Sequence, residues 1–130
     1  MTAGGKGYGP GSKYGDRAPA IWISPQRGFF VSSAVGGKYS YGKYTGQQSL
    51  PLAGEWVKIK VGQKLEGPKV VYSIAIGGKK VFSTTNSLPS EFSNVKVFAS
   101  SNWYTPQSGF IKNLLIENKN EDNIPRIEIN

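Results

Sequence analysis

Apolar residues in this chain fall in short runs that are separated by Gly, Pro, Asn and Ser, and no long stretch carries them at helical spacing. The runs are rich in β-branched and aromatic residues, which is typical of β-strands. Glu55–Gln63 is the clearest case, because Val57, Ile59 and Val61 alternate with lysines. This alternation predicts one apolar face and one solvent-exposed face. The pattern therefore predicts an all-β protein.

A hairpin is predicted in the middle of the chain. Tyr72, Ile74 and Ile76 share one face of a strand that we expect over Lys69–Ile76. The following Gly-Gly pair suits a two-residue turn with positive φ, and a second strand over Lys79–Thr84 should return beside the first.

Five further segments have the composition of strands. Gly109–Glu117 carries apolar residues at both odd and even positions, so we expect it to be covered on both faces. The five predicted strands are Ala20–Ser24, Gly28–Val35, Lys38–Thr45, Val95–Ser100 and Gly109–Glu117. About eight strands with short connections indicate an antiparallel sandwich or barrel.

The predicted strands divide the chain into three parts. Residues 1–12 form a Gly-rich segment, residues 13–117 hold the β-sandwich domain, and residues 118–130 form a polar linker with a strand-like tail. A length of 130 residues suits one such domain.

The composition removes most enzyme classes. The chain has no Cys and no His, which excludes disulfides, thiolate metal sites and a cysteine nucleophile and removes the commonest general base. Only eight carboxylates are present, and no close pair stands out as a glycosidase site. We therefore predict a protein that is not an enzyme and that holds no cofactor or metal.

The net charge is +8, and thirteen of the sixteen basic residues are Lys. An excess of this size favours an anionic partner. The lysines are dispersed along the chain, however, so a solubilising surface and a patch for an acidic glycan both remain open. Three Arg are few for a nucleic-acid interface, so we expect no nucleic-acid partner. No apolar run is long enough to predict a membrane span.

Two aromatic groups are candidates for binding sugar rings, which pack their apolar side on aromatic faces and take hydrogen bonds from amides. These groups are Tyr39, Tyr41 and Tyr44 on one predicted strand, and Asn102, Trp103 and Tyr104 in a predicted turn. Ordinary packing is the alternative for both: half-buried strand aromatics in the first group, and a packed corner in the second.

Trp22 and Trp56 are expected in the core or on a sheet face. Asp16 and Arg17 lie between two turn segments, where they are expected to form an internal ion pair or to fix a loop through hydrogen bonds.

The order of several short stretches resembles the laminin-G-like, concanavalin-A-like jelly-roll domains of secreted and surface proteins. The stretches are Tyr14–Trp22, Leu50–Leu52, Glu55–Ile59, Val71–Lys79, Phe92–Ser100, Trp103–Tyr104 and Gly109–Leu114. The resemblance implies two antiparallel sheets packed face to face, a secreted or extracellular protein, and carbohydrate binding or adhesion without catalysis.

The sequence departs from this family at two places. The family usually carries an Asp in the loop that matches Ser100, Ser101 and Asn102. Its absence from this loop argues against metal-assisted binding there. Members of the family also have one or more strands before the stretch that matches Gly15–Arg17. In this sequence the Gly-rich segment, residues 1–12, precedes that stretch instead.

Without such a strand, we expect Phe110–Glu117 to present an apolar sheet edge that must be covered. The tail Ile124–Asn130 is one candidate, either folding back or donated to a second copy. The residues predicted to take part in assembly are Phe110, Leu114, Ile116, Ile127 and Ile129.

Two functional hypotheses follow. The first is a non-catalytic, extracellular sandwich that binds glycans or matrix components, with acidic ones favoured by the basic surface. The alternative is a structural protein that assembles into fibres or a matrix through strand edges or strand donation.

Overall fold

The computed structural model describes residues 2–3, 17–91, 95–97 and 109–117, and these form an all-β structure with two three-stranded antiparallel sheets. The strands are β1 (Thr2–Ala3), β2 (Ala20–Ser24), β3 (Gly28–Val35), β4 (Lys38–Tyr44), β5 (Ile59–Glu66), β6 (Lys69–Ile76), β7 (Lys79–Thr85) and β8 (Val95–Lys96). The first sheet has the order β2-β3-β4 and the second has the order β5-β6-β7. The short strands β1 and β8 pair with each other.

Tight turns connect the neighbouring strands within each sheet. Between β6 and β7 the backbone turns at Gly77 and Gly78, with φ angles of 59° and 83°. Two successive positive φ angles define the turn that matches the twist of a hairpin, and glycine adopts them at little cost. The predicted hairpin is therefore confirmed.

The core lies where the inner faces of the two sheets meet. Alternate residues of the two central strands, β3 and β6, are buried there, as the period of two along a strand requires. The buried apolar cluster comprises Phe29, Val31, Val35, Tyr72, Ile74 and Ile76. Val31 and Ile74 are completely inaccessible to solvent. The two sheets thus share one core in a sandwich-like arrangement.

Two polar connections also join the sheets. The hydroxyls of Ser33 on β3 and Tyr72 on β6 lie 2.9 Å apart within this core. Asn86, which is buried after β7, accepts a hydrogen bond from the backbone N–H of Gly36 and donates one to Gln63 on β5, both at 2.9 Å. Because buried polar groups are costly when unpaired, these bonds favour one arrangement of the sheets.

Several predicted strand bounds agree with the structure. Ala20–Ser24, Gly28–Val35 and Lys69–Ile76 are strands with the predicted bounds. By contrast, β5 begins only at Ile59 and continues to Glu66, so the first residues of the predicted Glu55–Gln63 strand lie in a loop.

The predicted strand over Gly109–Glu117 is wrong. This segment forms no strand, and Phe110 and Ile111 are 89% and 72% exposed rather than covered. Asn113 has a φ of 52°, in the left-handed region, which interrupts the alternation that a strand requires. The expected unpaired strand edge is therefore not formed, although an exposed apolar segment is.

Candidate ligand-binding cleft

A cleft of about 340 Å³ opens beside the long loop that leads from β4 to β5. Its walls are formed by this loop, by the end of β6 and by the start of β7. The lining residues are Thr45, Gln48, Ser49, Leu50, Pro51, Glu55, Trp56, Val57, Ile76, Lys79 and Val81. The volume is at the lower end of the range for small-molecule sites.

Backbone hydrogen bonds attach the start of this loop to the first sheet. The N–H of Thr45 donates to the carbonyl of Phe29, and the N–H of Gly46 donates to the carbonyl of Arg27, each at 2.9 Å. The close approach requires glycine at Gly28, because a Cβ there would lie 2.0 Å from the carbonyl oxygen of Gly46. One wall of the cleft is therefore held on the sheet.

Hydroxyl groups stabilise the same wall. The Thr45 hydroxyl accepts a hydrogen bond from the N–H of Phe29 at 2.9 Å. Ser49, at the end of the 3-10 helix Gln47–Ser49, donates to the carbonyl of Gly46 at 2.7 Å and also contacts the Thr45 hydroxyl. These bonds tie the loop to β3 and to itself, and they therefore position the wall.

Trp56 contributes the aromatic surface of the cleft. It is 54% exposed and lies in the loop before β5, so the expectation of a core or sheet-face position is wrong. The Lys112 ammonium lies 4.2 Å from the centre of the Trp56 ring, which brings the exposed segment 109–117 to the cleft. Contact of this kind between a cation and an indole is attractive.

Polar groups with complementary hydrogen-bonding capacity also line the cleft. Gln48 offers an amide, Lys79 an ammonium group and Glu55 a carboxylate. Among the described residues that line the cleft, Glu55 is the single carboxylate. An aromatic surface with amide, carboxylate and ammonium groups suits a polyhydroxylated ligand, whereas the usual glycosidase mechanism requires two carboxyl groups.

The structure places the three predicted tyrosines at separate locations. Tyr41 points toward the second sheet, where its ring centre is 6.1 Å from that of Phe82. Tyr44 lies on the opposite face of β4, with its ring centre 4.7 Å from that of Phe30. Tyr39 is 42% exposed and lies beneath the Arg17 guanidinium. They do not form one continuous surface.

Arg17 is anchored within the first sheet. It is 7% exposed, its guanidinium carbon is 5.8 Å from the centre of the Tyr39 ring, and its carbonyl accepts a hydrogen bond from the N–H of Ala34. Trp22 lies on a sheet face as expected, with its ring centre 5.6 Å from that of Phe30.

The other predicted site residues have different outcomes. Phe110 is exposed, whereas Leu114 and Ile116 are half-buried in the segment 109–117. Six predicted residues lie outside the described part of the chain: Asp16, Asn102, Trp103, Tyr104, Ile127 and Ile129.

Gln48, Glu55, Trp56 and Lys79 were not identified as site residues from the sequence. The available signal was the Glu55–Trp56 pair directly before an alternating strand. That signal is weak, because a Trp next to a strand is equally compatible with a core position.

Within the described ranges, no group of three His, Cys, Asp or Glu side chains is placed to hold a metal ion. The described residues include no helix with the length and apolarity needed to cross a membrane. Comparison with protein-family models, with curated proteins and with solved structures gives no match to this chain.

Proposed function

We propose that this protein is a non-catalytic glycan-binding module and that the cleft beside Trp56 is its binding site. The observation that carries the proposal is a half-exposed indole in a cleft that also holds Gln48, Glu55 and Lys79. Among the described lining residues a single carboxylate is present, which supports a binding role, and the family resemblance supports a location outside the cell.

The chemistry of the cleft suits a sugar. The C–H face of a pyranose packs against an aromatic ring, while amide, carboxylate and ammonium groups bond to its hydroxyls. The hydrogen bonds of Thr45 and Ser49 hold the loop in place before the ligand arrives, which reduces the entropy cost of binding.

A glycan array that compares the wild type with Trp56→Ala tests this proposal. We expect the variant to bind neutral oligosaccharides roughly tenfold more weakly, as is usual for loss of a central aromatic contact. Leu65→Ala is the matched control, because Leu65 is 49% exposed and lies outside the cleft. Tyr39→Ala examines the strand tyrosines as an alternative site.

Two results would count against the cleft. If the wild type binds no glycan on the array, the proposed function is wrong. If Tyr39→Ala loses binding and Trp56→Ala retains it, glycan binding stands but the site is misplaced.

Self-association is a second candidate function, favoured by the exposed segment 109–117. Phe110 and Ile111 are the most exposed large apolar side chains in this segment, and such surfaces promote association. In light scattering, we expect the wild type to grow in size with concentration and Phe110→Ser/Ile111→Ser to remain smaller. A wild-type monomer at every concentration contradicts this candidate.

A further inference from the structure

The register of the second sheet brings dispersed lysines together on its outer face, the face turned away from the core. On β6, Tyr72, Ile74 and Ile76 are buried in the core, so Ala75 belongs to the outer face. Ala75 pairs with Lys60 on β5 and with Lys80 on β7. Two lysines that are 20 positions apart in the sequence therefore flank one alanine.

The neighbouring rows of this face carry small or hydroxyl-bearing side chains. Ser73 pairs with Gly62 and with Ser83 in the next row. The row beyond it is Lys64, Val71 and Thr85. We call these nine residues, in three rows of three, the basic face.

Charge on the basic face is only partly compensated. Lys64 forms an ion pair with Glu66 at 3.3 Å. Lys60 and Lys80 form no ion pair with any residue in the described part of the chain, and both are exposed. Two strand spacings separate their backbones by about 10 Å, so their positive charges act on the same side of the sheet.

We propose that the basic face binds a linear polyanionic glycan, which carries sulfate or carboxylate groups. Lysines at its margins supply positive charge, and the hydroxyls of Ser73, Ser83 and Thr85 supply hydrogen bonds. This surface is distinct from the cleft, and the choice of a glycan as partner rests on the proposed function.

The side chains of this face favour a glycan over other polyanions. The face has no Arg to read bases and no aromatic residue on which bases could stack. It also presents no large aromatic or leucine side chain of the kind that enters a membrane surface. Charge and hydroxyl groups without stacking surfaces suit an anionic polysaccharide.

Binding of heparin and of polygalacturonate, which carry sulfate and carboxylate respectively, tests the proposal by titration at several salt concentrations. We expect the wild type to bind at least one of them and to weaken as salt rises. Lys60→Gln/Lys80→Gln should weaken this binding by roughly tenfold, given the usual contribution of a lysine near an anionic surface.

Arg27→Gln/Lys38→Gln is the matched control, because it removes the same charge from exposed positions in the β2–β3 turn and on β4, away from the basic face. We expect it to bind nearly as tightly as the wild type. Equal weakening of both double variants would show a net-charge effect and overturn the proposal. Tighter binding of duplex DNA or phosphatidylserine vesicles through the same two lysines would also overturn it, as would failure to bind either polysaccharide.

The basic face and the cleft can fail independently. Loss of neutral-glycan binding in Trp56→Ala tests the cleft, and that variant should retain its affinity for the anionic polysaccharide. If no neutral glycan binds but the Lys60→Gln/Lys80→Gln effect is observed, the cleft fails while the basic face stands.

Discussion

The two sheets bury similar inner faces but have different outer faces. On the first sheet, Trp22, Phe30 and Tyr44 form a cross-strand row of aromatic rings, with centres 5.6 and 4.7 Å apart. On the second sheet, the corresponding surface is the basic face, with small residues at its centre and lysines at its margins. One outer face is covered by aromatic rings, and the other carries small side chains and positive charge.

This difference shows that folding constrains the inner faces of the sheets, whereas it leaves the outer faces available for binding. The inner faces must be apolar because they bury the core that the two sheets share. The outer faces are not constrained in this way, so the second sheet can carry exposed lysines at little cost in stability. The same strand architecture therefore supports two different surfaces.

The largest expected effect tests the shared core. Ile74→Ala should lower the free energy of unfolding by about 2–5 kcal/mol, because the side chain is completely buried and leaves a cavity. Val31→Ala should also be destabilising, although by less because fewer atoms are removed. Urea denaturation measures both. If one of the two variants is as stable as the wild type, the sheets do not share one core.

A smaller effect distinguishes the outer faces. Gly42→Ala should destabilise by about 1–3 kcal/mol, since its Cβ would lie 2.3 Å from the ring of Phe30. Gly62→Ala is the matched variant on the basic face, where no atom lies within 4 Å of the added Cβ. We expect it to be neutral or to stabilise by roughly 0.5 kcal/mol. Equal thermal stability of the two variants would contradict the difference in packing between the two outer faces.

The smallest expected effect concerns the polar contact between the sheets at high pH. Burial raises the pKa of the Tyr72 hydroxyl above its ordinary value near 10, and the hydrogen bond between Tyr72 and Ser33 partly opposes this. Because the unfolded chain loses this proton at a lower pH than the folded one, Tyr72 stabilises the fold fully below pH 10. Its contribution falls as the pH rises above that value.

Thermal unfolding between pH 8 and 11 measures this contribution. Ser33→Ala/Tyr72→Phe removes both hydroxyls and leaves neither partner unpaired, so its stability should fall less steeply above pH 10 than that of the wild type. The same slope in both proteins would show that Tyr72 is not responsible.

The sequence was most informative where local pattern and tertiary packing agree. β3 and β6 have their predicted bounds because their apolar runs end at glycine-containing turns. The prediction for the segment 109–117 was wrong because its local pattern and its tertiary structure disagree. Its apolar content suits a strand, but strand formation requires a hydrogen-bonding partner, and composition does not provide one.

The candidate site was less predictable than the fold. Trp56 has the same local sequence context whether it is buried or exposed, and only the course of the loop from β4 to β5 places it in the cleft. For the tyrosines on β4, by contrast, alternation already separates positions 41 and 44 onto opposite faces, and their ring contacts agree.

Local patterns were enough to establish the all-β class, the central hairpin and the apolar faces of β5 and β6, because strand periodicity and turn chemistry are local properties. The tertiary structure decided which residues meet across strands. Lysines that are dispersed along the chain form the basic face because strand register pairs positions that are distant in sequence. The cleft beside Trp56 likewise exists only after the loop has packed on the first sheet.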